Sequence, residues 1–324
     1  MTRRKNKEDL QEKKRKQLIE RSMQILTLDR ATIIDILSTE LHHCVRINPL
    51  AGDSEQTLEV MKQLGWQGST TTWCEHGYTI DEGYEALRDS KLISEGKIYI
   101  QNEASWLPVI ALAPRPGDSV LDMCAAPGGK AGHIGAVMNN QGLLLANDNS
   151  RPRFIKLKHN LKRLHVDATY AFYNGTRMSK AIEGQQFDKI LLDAPCSGEG
   201  LIDLRSPKTL ASWSVAHIRR LSTLQKQLIK EAWSLLAPGG TLVYSTCTMA
   251  PEENEVIINY LLKHNENARI LPIAIPIQET RKGMTAWGGR QFDPAIHNAL
   301  RLLPGDGREA FFVCKIEKIE DVLS

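Results

Sequence analysis

Ser119-Val120-Leu121-Asp122-Met123-Cys124-Ala125-Ala126-Pro127-Gly128-Gly129-Lys130 is the stretch that decides the fold. Its first four residues form a short apolar run ending in a carboxylate, which reads as a buried strand, and 130–138 reads as a helix. Small residues and two glycines join the two in a tight turn. Such a turn lets the backbone approach a ligand closely, and the first N–H groups of the following helix lack partners within it.

The same alternation continues downstream. Strands are expected at 142–147, 168–173, 187–193, 241–246 and 310–316. Helices are expected at 151–164, at 218–236 before Pro238-Gly239-Gly240, and at 251–264 with Glu252 and Glu253 in its first turn. Strands alternating with helices imply a mostly parallel sheet with helices on both faces. Ligands of such sheets bind outside the carboxyl ends of the strands.

Upstream the pattern is different. Residues 1–30 read as a charged helix with Leu10, Leu18, Ile19, Met23 and Ile25 at loosely helical spacing, and 31–42 as an amphipathic segment. Residues 45–47 are strand-like, and 54–64 form a helix behind Asp53 or Ser54 as N-cap. Two units are therefore expected. They are a small α/β module over 1–99, with a basic N-terminal helix, and a catalytic domain over 100–324.

Composition narrows the function classes. The chain has 324 residues, 42% hydrophobic and 24% charged, as in ordinary globular proteins. No apolar run approaches the ~20 residues of a membrane span. Met1-Thr2-Arg3-Arg4-Lys5 leads into charged sequence without a signal core, so a cytoplasmic protein is expected. Six cysteines without CxxC pairing or nearby histidines disfavour both a disulfide framework and a metal site. A net charge of +3 proves no partner, but residues 3–21 are rich in Arg and Lys, and 151–165 holds six Arg or Lys and no acid. Two readings fit these stripes: a solvated helix face, or an attraction for nucleic-acid phosphates.

Leu145-Ala146-Asn147-Asp148 ends the next strand and places an acid about 20 residues beyond the glycines, as a ribose diol requires. The turn is neither GxGxxG nor GxxxxGK[ST], so an adenosyl ligand without phosphates fits it better than a dinucleotide or nucleoside triphosphate. Two further strand ends carry thiols: Asp193-Ala194-Pro195-Cys196-Ser197-Gly198 and Ser245-Thr246-Cys247-Thr248. A lone Cys closing a strand is usually a small buried apolar residue, which suits Cys44, Cys74 and Cys314, and Cys124 as a packing residue of its turn. Trp106, Trp213 and Trp233 read as core.

Together, the 124–130, 193–198 and 245–248 motifs resemble the Nop/Sun family of RNA cytosine-C5 methyltransferases. Tyr99-Ile100-Gln101-Asn102-Glu103-Ala104-Ser105 and Pro251-Glu252-Glu253-Asn254-Glu255 match it too. The likeness runs from about residue 45 to the end and is closest to the bacterial branch acting on 16S ribosomal RNA. It implies a class I methyltransferase (Rossmann-like) α/β fold with a seven-stranded sheet. It implies S-adenosylmethionine held by Cys124, Ala125, Ala126, Pro127, Gly128, Gly129, Lys130 and Asp193, with Asp148 on the ribose. Asn174-Gly175 stands where the family usually has Asp-Gly. Asn174 keeps a carbonyl acceptor for the adenine amino group but lacks the charge. Arg153, Asn160 and Arg163 match a family pattern in the helix after Asp148, although a solvated basic face accounts for them as well. The family's C-terminal RNA-binding extension is expected to be absent, and the enzyme to act as a monomer.

C5 of cytosine is too weak a nucleophile to take a methyl group from a sulfonium unaided. A thiolate adding to C6 raises the electron density at C5, and the C5 proton must later leave so that the C6–S bond can break. A free thiol, with pKa about 8.5, is little ionised at neutral pH, and lowering that value by one unit is worth about 1.4 kcal/mol. Chemistry alone does not choose between the two cysteines. DNA cytosine-C5 methyltransferases use the Pro-Cys thiol, which would select Cys196. The RNA family uses the Thr-Cys thiol, which makes Cys247 the nucleophile and Cys196 an aid to release. Asp193 would bond the cytosine N3/N4 edge, with Lys130 between cofactor and base. The expected substrate is RNA, ribosomal rather than transfer. The rivals are a transfer-RNA or DNA enzyme, a small-molecule methyltransferase and a catalytically silent RNA-binding assembly factor.

Overall fold

The structure, a computed structural model, describes residues 2–320. Helix α1 (Thr2–Leu26) is strongly charged, yet Leu18 and Ile19 are fully buried. Helix α2 (Arg30–Ile36) follows, capped by Asp29, whose side chain accepts from the backbone N–H groups of Ala31 and Thr32. Both helices pack against residues far along the chain, among them Ile202, Leu210, Trp213 and Ile218. Arg21 adds an ion pair to Glu252 at 2.9 Å. The amphipathic segment expected over 31–42 stays helical only to Ile36, and 38–42 leaves the helix to enter the first strand.

Strands β1 (His43–Ile47), β2 (Gly77–Ile80) and β3 (Ile98–Ile100) form an antiparallel sheet in the order β2-β1-β3. Val45, Ile47, Ile80 and Ile98 share a core of their own with Met61 of α3 (Ser54–Gln63), Leu87 of α4 (Tyr84–Arg88) and Leu92 of α5 (Lys91–Ser94).

The large sheet comprises β4 (Ser119–Asp122), β5 (Leu143–Asn147), β6 (Thr169–Ala171), β7 (Phe187–Asp193), β8 (Leu236–Thr246), β9 (Ala268–Leu271), β10 (Thr280–Lys282), β13 (Leu300–Leu302) and β14 (Phe311–Lys318). A two-stranded hairpin, β11 (Ala286–Trp287) and β12 (Arg290–Gln291), lies outside it. The order is β10-β13-β14-β8-β7-β4-β5-β6, with β9 also on β14. Strands β6, β5, β4, β7 and β8 are parallel, and β14 returns antiparallel beside β8. Nine strands are present against the expected seven, because short strands extend the antiparallel edge.

Alternate residues of the central strands feed opposite faces. Val120, Leu144, Leu191 and Val243 pack with α6 (Leu107–Leu112), α7 (Gly129–Val137) and α8 (Arg151–Arg163). Leu121, Leu145, Leu192 and Tyr244 pack with α9 (Val215–Leu235) and α10 (Glu255–His264). This is the doubly covered α/β sheet that the periodicity requires. Trp106, Trp213 and Trp233 are all core, as are Cys44, Cys74 and Cys314. Among the described residues no helix is long and apolar enough to cross a membrane.

Candidate active site

The 124–130 turn leaves the carboxyl end of β4 and is held from both sides. The backbone N–H of Met123 bonds to the carbonyl of Leu191 at 3.0 Å, and that of Ala125 to Asn147 at 2.7 Å. Gly128 has φ 110°, a conformation that disfavours side chains. A Cβ at Gly129 would lie 2.6 Å from Gln101 Oε1 and 2.9 Å from the Tyr99 ring, so a side chain here would displace both from the cavity wall. Arg153 Nη2 donates to the carbonyl of Ala126 at 2.6 Å, and Asn160 Nδ2 to that of Pro127 at 2.8 Å. These α8 residues thus brace the turn. Arg163 instead donates to the carbonyl of Ile93, tying α8 to α5. Tyr99, Gln101, Asp122, Cys124, Lys130 and Asp193 line a cavity of about 170 Å³ beside the turn.

Asp148 is buried at the end of β5. Its Oδ1 accepts from the Ser150 N–H at 2.8 Å, and its Oδ2 lies 3.4 Å from the same Arg153 Nη2 that holds Ala126. Neighbouring Asn147 clamps three strand ends. It donates to the carbonyls of Met123 and Tyr173 and accepts from the Tyr173 N–H at 2.9 Å. Asn174 sits just beyond that clamp on the same rim. Its Oδ1 accepts from both the N–H and the hydroxyl of Thr176, so the carbonyl is engaged locally.

β7 and β8 deliver the thiols. Asp193 lies opposite Ser245 in the parallel ladder, and the Ser245 hydroxyl donates to Asp193 Oδ1 at 2.8 Å. Lys130 Nζ reaches Asp193 Oδ2 at 2.8 Å. Beyond these strand ends, Cys196 Sγ and Cys247 Sγ stand 3.3 Å apart. The N–H of Gly200 holds the Cys247 carbonyl, and Gln225 Nε2 holds that of Pro195. The hydrogen bond to Cys247, then burial, then the nearby Glu253 and Asp193 push the Cys196 thiol well above its ordinary range. The two sulfurs are close enough for a hydrogen bond in which either can donate. Burial opposes the charge on Lys130, yet Asp193 and Glu309 hold its ammonium above its ordinary value.

Three carboxyl groups of the site escaped the sequence reading as site residues. Asp122 has both oxygens buried without a hydrogen-bond partner, and burial, with Asp193 nearby, pushes it up to about 8. Glu309 bonds the Ser105 hydroxyl at 3.3 Å, and burial raises it to about 7. Glu253 is fully buried, accepts from the Ser197 N–H and from Gln225 Nε2, and is raised by burial to about 7. A carboxylate closing an apolar strand was a signal for Asp122. Glu253 looked like an ordinary acid of a helix first turn, but α10 starts two residues later, at Glu255. The intervening Asn254 is taken up by Thr246 and Thr248.

Residues 109–317 match the family model described as 16S rRNA methyltransferase RsmB/F. The ribosomal RNA small subunit methyltransferase F of Serratia proteamaculans is 35% identical over 288 residues, 87% of this chain and 58% of its own length. Its counterpart in Escherichia coli O17:K52:H18 is 35% identical over 291 residues, with the same coverage. The chain thus spans little more than half the length of these relatives. A methyltransferase homolog protein from Pyrococcus horikoshii superposes with a TM-score of 0.78 at 28% identity, covering 94% of this chain and 99% of its own. The structure of NSun6 from Pyrococcus horikoshii with SFG shares the fold at 22% identity, with a TM-score of 0.78 over 94% of this chain and 98% of its own.

Proposed function

The chain belongs to the 16S rRNA methyltransferase RsmB/F family, and on that premise we propose that it transfers a methyl group from S-adenosylmethionine to C5 of a cytosine in ribosomal RNA. The residues present suit that cofactor. Gly129 lines the cavity without a side chain, the buried Asp148 suits a ribose diol, and the unpartnered Asp122 carboxyl at the cavity suits an ammonium group. Residues 124–130, Asp148 and Asn174 are assigned to holding it, with Asp193 at its reactive end. When bound, the cofactor supplies the electrophilic methyl group.

Cys247 is assigned as the nucleophile. Its thiolate adds to C6 and pushes electron density to C5, which takes the methyl group. Loss of the C5 proton to a base then lets the C6–S bond break and returns the thiolate. Cys196, beside that sulfur, assists the release step. Asp193, fixed by Ser245 and Lys130, bonds the N3/N4 edge of the cytosine. The pair of sulfurs 3.3 Å apart next to the Lys130–Asp193 ion pair is the observation that carries this reading.

The target base must leave its stack to reach the thiol, which costs a few kcal/mol in a duplex and less in a loop. Residues 1–99 and α8 are assigned to positioning RNA. Lys158, His159 and Lys162 line an open groove with Tyr170, and Lys158 lies over the Phe154 and Tyr170 rings, an arrangement suited to backbone phosphates and bases. One chain supplies both thiols, Lys130 and Asp193, as a monomer would, and free thiols suit the reducing cytoplasm.

The test is incubation with labelled S-adenosylmethionine and ribosomal subunits, transfer RNA or DNA. Label is expected in ribosomal RNA with the wild-type protein and in nothing with Cys247→Ala. Cys196→Ala should accumulate a covalent protein–RNA adduct. Labelling by Cys247→Ala, or of DNA alone, overturns the mechanism; labelling of transfer RNA alone moves the substrate.

A further inference from the structure

Arg46 of β1 is only 1% exposed, and its Nε and Nη2 atoms have no hydrogen-bond partner. Among the described residues no carboxylate forms an ion pair with it. It pairs with Tyr99 across the β1–β3 ladder and reaches toward α7, where its Nη2 lies 3.9 Å from the position a Cβ on Gly132 would take. The next residue of α7, His133, is also buried and leaves its Nδ1 without a partner.

Both side chains line one cavity of about 460 Å³, together with Trp73, His76, Arg115 and Glu75. Glu75 is the acid of that wall, but its side chain is 90% exposed and stands 3.7 Å from His76, so it does not neutralise Arg46. Burial lowers the Arg46 guanidinium to about 10, which still leaves it charged at neutral pH. Burial, then Arg46 and His76, hold His133 well below its ordinary value, so it is a neutral ring offering one N–H. The floor of the cavity is therefore a cation and a neutral donor, with a second arginine at its mouth.

An unpaired ion held away from water costs several kcal/mol, and a fold that keeps one normally supplies a counter-charge. We propose that this cavity binds an oxyanion of the phosphate class, seated on the Arg46 fork and the His133 ring, with Arg115 closing from the mouth. A tetrahedral phosphate has enough oxygens for all three, and guanidinium–phosphate pairing is among the strong charge-assisted hydrogen bonds. The site is distinct from the proposed reaction cavity: Tyr99 lines that cavity, while its ladder partner Arg46 lines this one. The same chemistry serves free inorganic phosphate or a phosphate of an RNA backbone.

The test uses the full chain. Thermal unfolding is compared in inorganic phosphate and in chloride at matched ionic strength, and affinity for a short single-stranded RNA is measured over a salt series. Phosphate should raise the wild-type midpoint saturably. Arg46→Met should lose that rise. Should Arg46→Met not fold, the exposed Arg115→Ala should weaken the phosphate effect several-fold with its midpoint in chloride unchanged. If the seated group is an RNA phosphate, Arg115→Ala also lowers the slope of log affinity against log salt by about one; if it is free phosphate, RNA affinity is unchanged. A wild-type midpoint equal in phosphate and chloride, with RNA binding unaltered in Arg115→Ala, overturns the proposal. So does a phosphate effect that persists undiminished in the variants.

Discussion

Cys196 Sγ and Cys247 Sγ are 3.3 Å apart although 51 residues separate them in the chain. The parallel pairing of β7 with β8, in which Asp193 lies opposite Ser245, carries both thiols to one rim. A disulfide needs an S–S distance near 2.05 Å, so the two sulfurs have only to close the remaining gap to bond. Treatment with hydrogen peroxide is therefore expected to remove two hydrogens from the pair and join the sulfurs, reducing the peroxide to water. Methyl transfer should stop and return on adding dithiothreitol. Mass spectrometry should find the 196–247 crosslink; inactivation without that crosslink would refute the prediction.

Lys130 and Asp193 form a largely buried ion pair at 2.8 Å. Lys130→Met leaves Asp193 without its cation, and a loss of about 2–4 kcal/mol of stability is expected from such an uncompensated charge. Adding Asp193→Asn should recover much of that stability while activity stays absent. Urea unfolding of the two single variants and the double variant measures the coupling. Additive losses would show that the pair contributes nothing.

Arg153 bridges the Ala126 carbonyl and Asp148, while Asn160 holds the Pro127 carbonyl. Arg153→Ala and Asn160→Ala are expected to weaken S-adenosylmethionine binding by about tenfold, the effect of roughly 1.4 kcal/mol. Turnover at saturating cofactor should change little. Calorimetric titration with the cofactor distinguishes this from a general loss of fold.

Asp122 is held near 8, chiefly by burial, whereas an unfolded aspartate ionises near 4. Between those values the folded state binds the extra proton. Its contribution to stability is thus fully present below about pH 4 and is lost as the pH rises through 8. Asp122→Asn keeps the shape without the ionisation. Relative to wild type, it should gain stability by a few kcal/mol between pH 5 and pH 9, read from urea midpoints. A difference that is flat with pH would show that Asp122 has no raised ionisation.

Leu18 and Ile19 of α1 are fully buried in a cluster with Trp213 and Ile218. Leu18→Ala should cost about 2–5 kcal/mol, as for other buried leucines. The Trp213 fluorescence should shift to longer wavelength in a chain lacking 1–26. Unchanged stability and emission would mean that α1 does not dock.

Much of this protein was legible locally. The strand, glycine turn and helix at 119–138 are written in neighbouring residues, as is the alternation that makes a parallel sheet. Asp148 and the two cysteines stand at strand ends that the apolar runs themselves mark. The short strands at 268–271, 280–282 and 300–302 were not legible, because three or four residues carry too little periodicity and form only against a neighbour already in place. Nor was the docking of α1, whose partners lie about 200 residues away. Glu252 and Glu253 make the distinction plainest. Adjacent in sequence, they part in space: Glu252 pairs with Arg21, and Glu253 turns inward beneath Ser197, where burial raises its pKa to about 7. The sequence by itself determined which chemical groups exist and the order in which the strand ends present them. Which of those groups are buried, paired or left without a partner was decided only by the tertiary structure, because desolvation and charge pairing depend on atoms brought from distant segments.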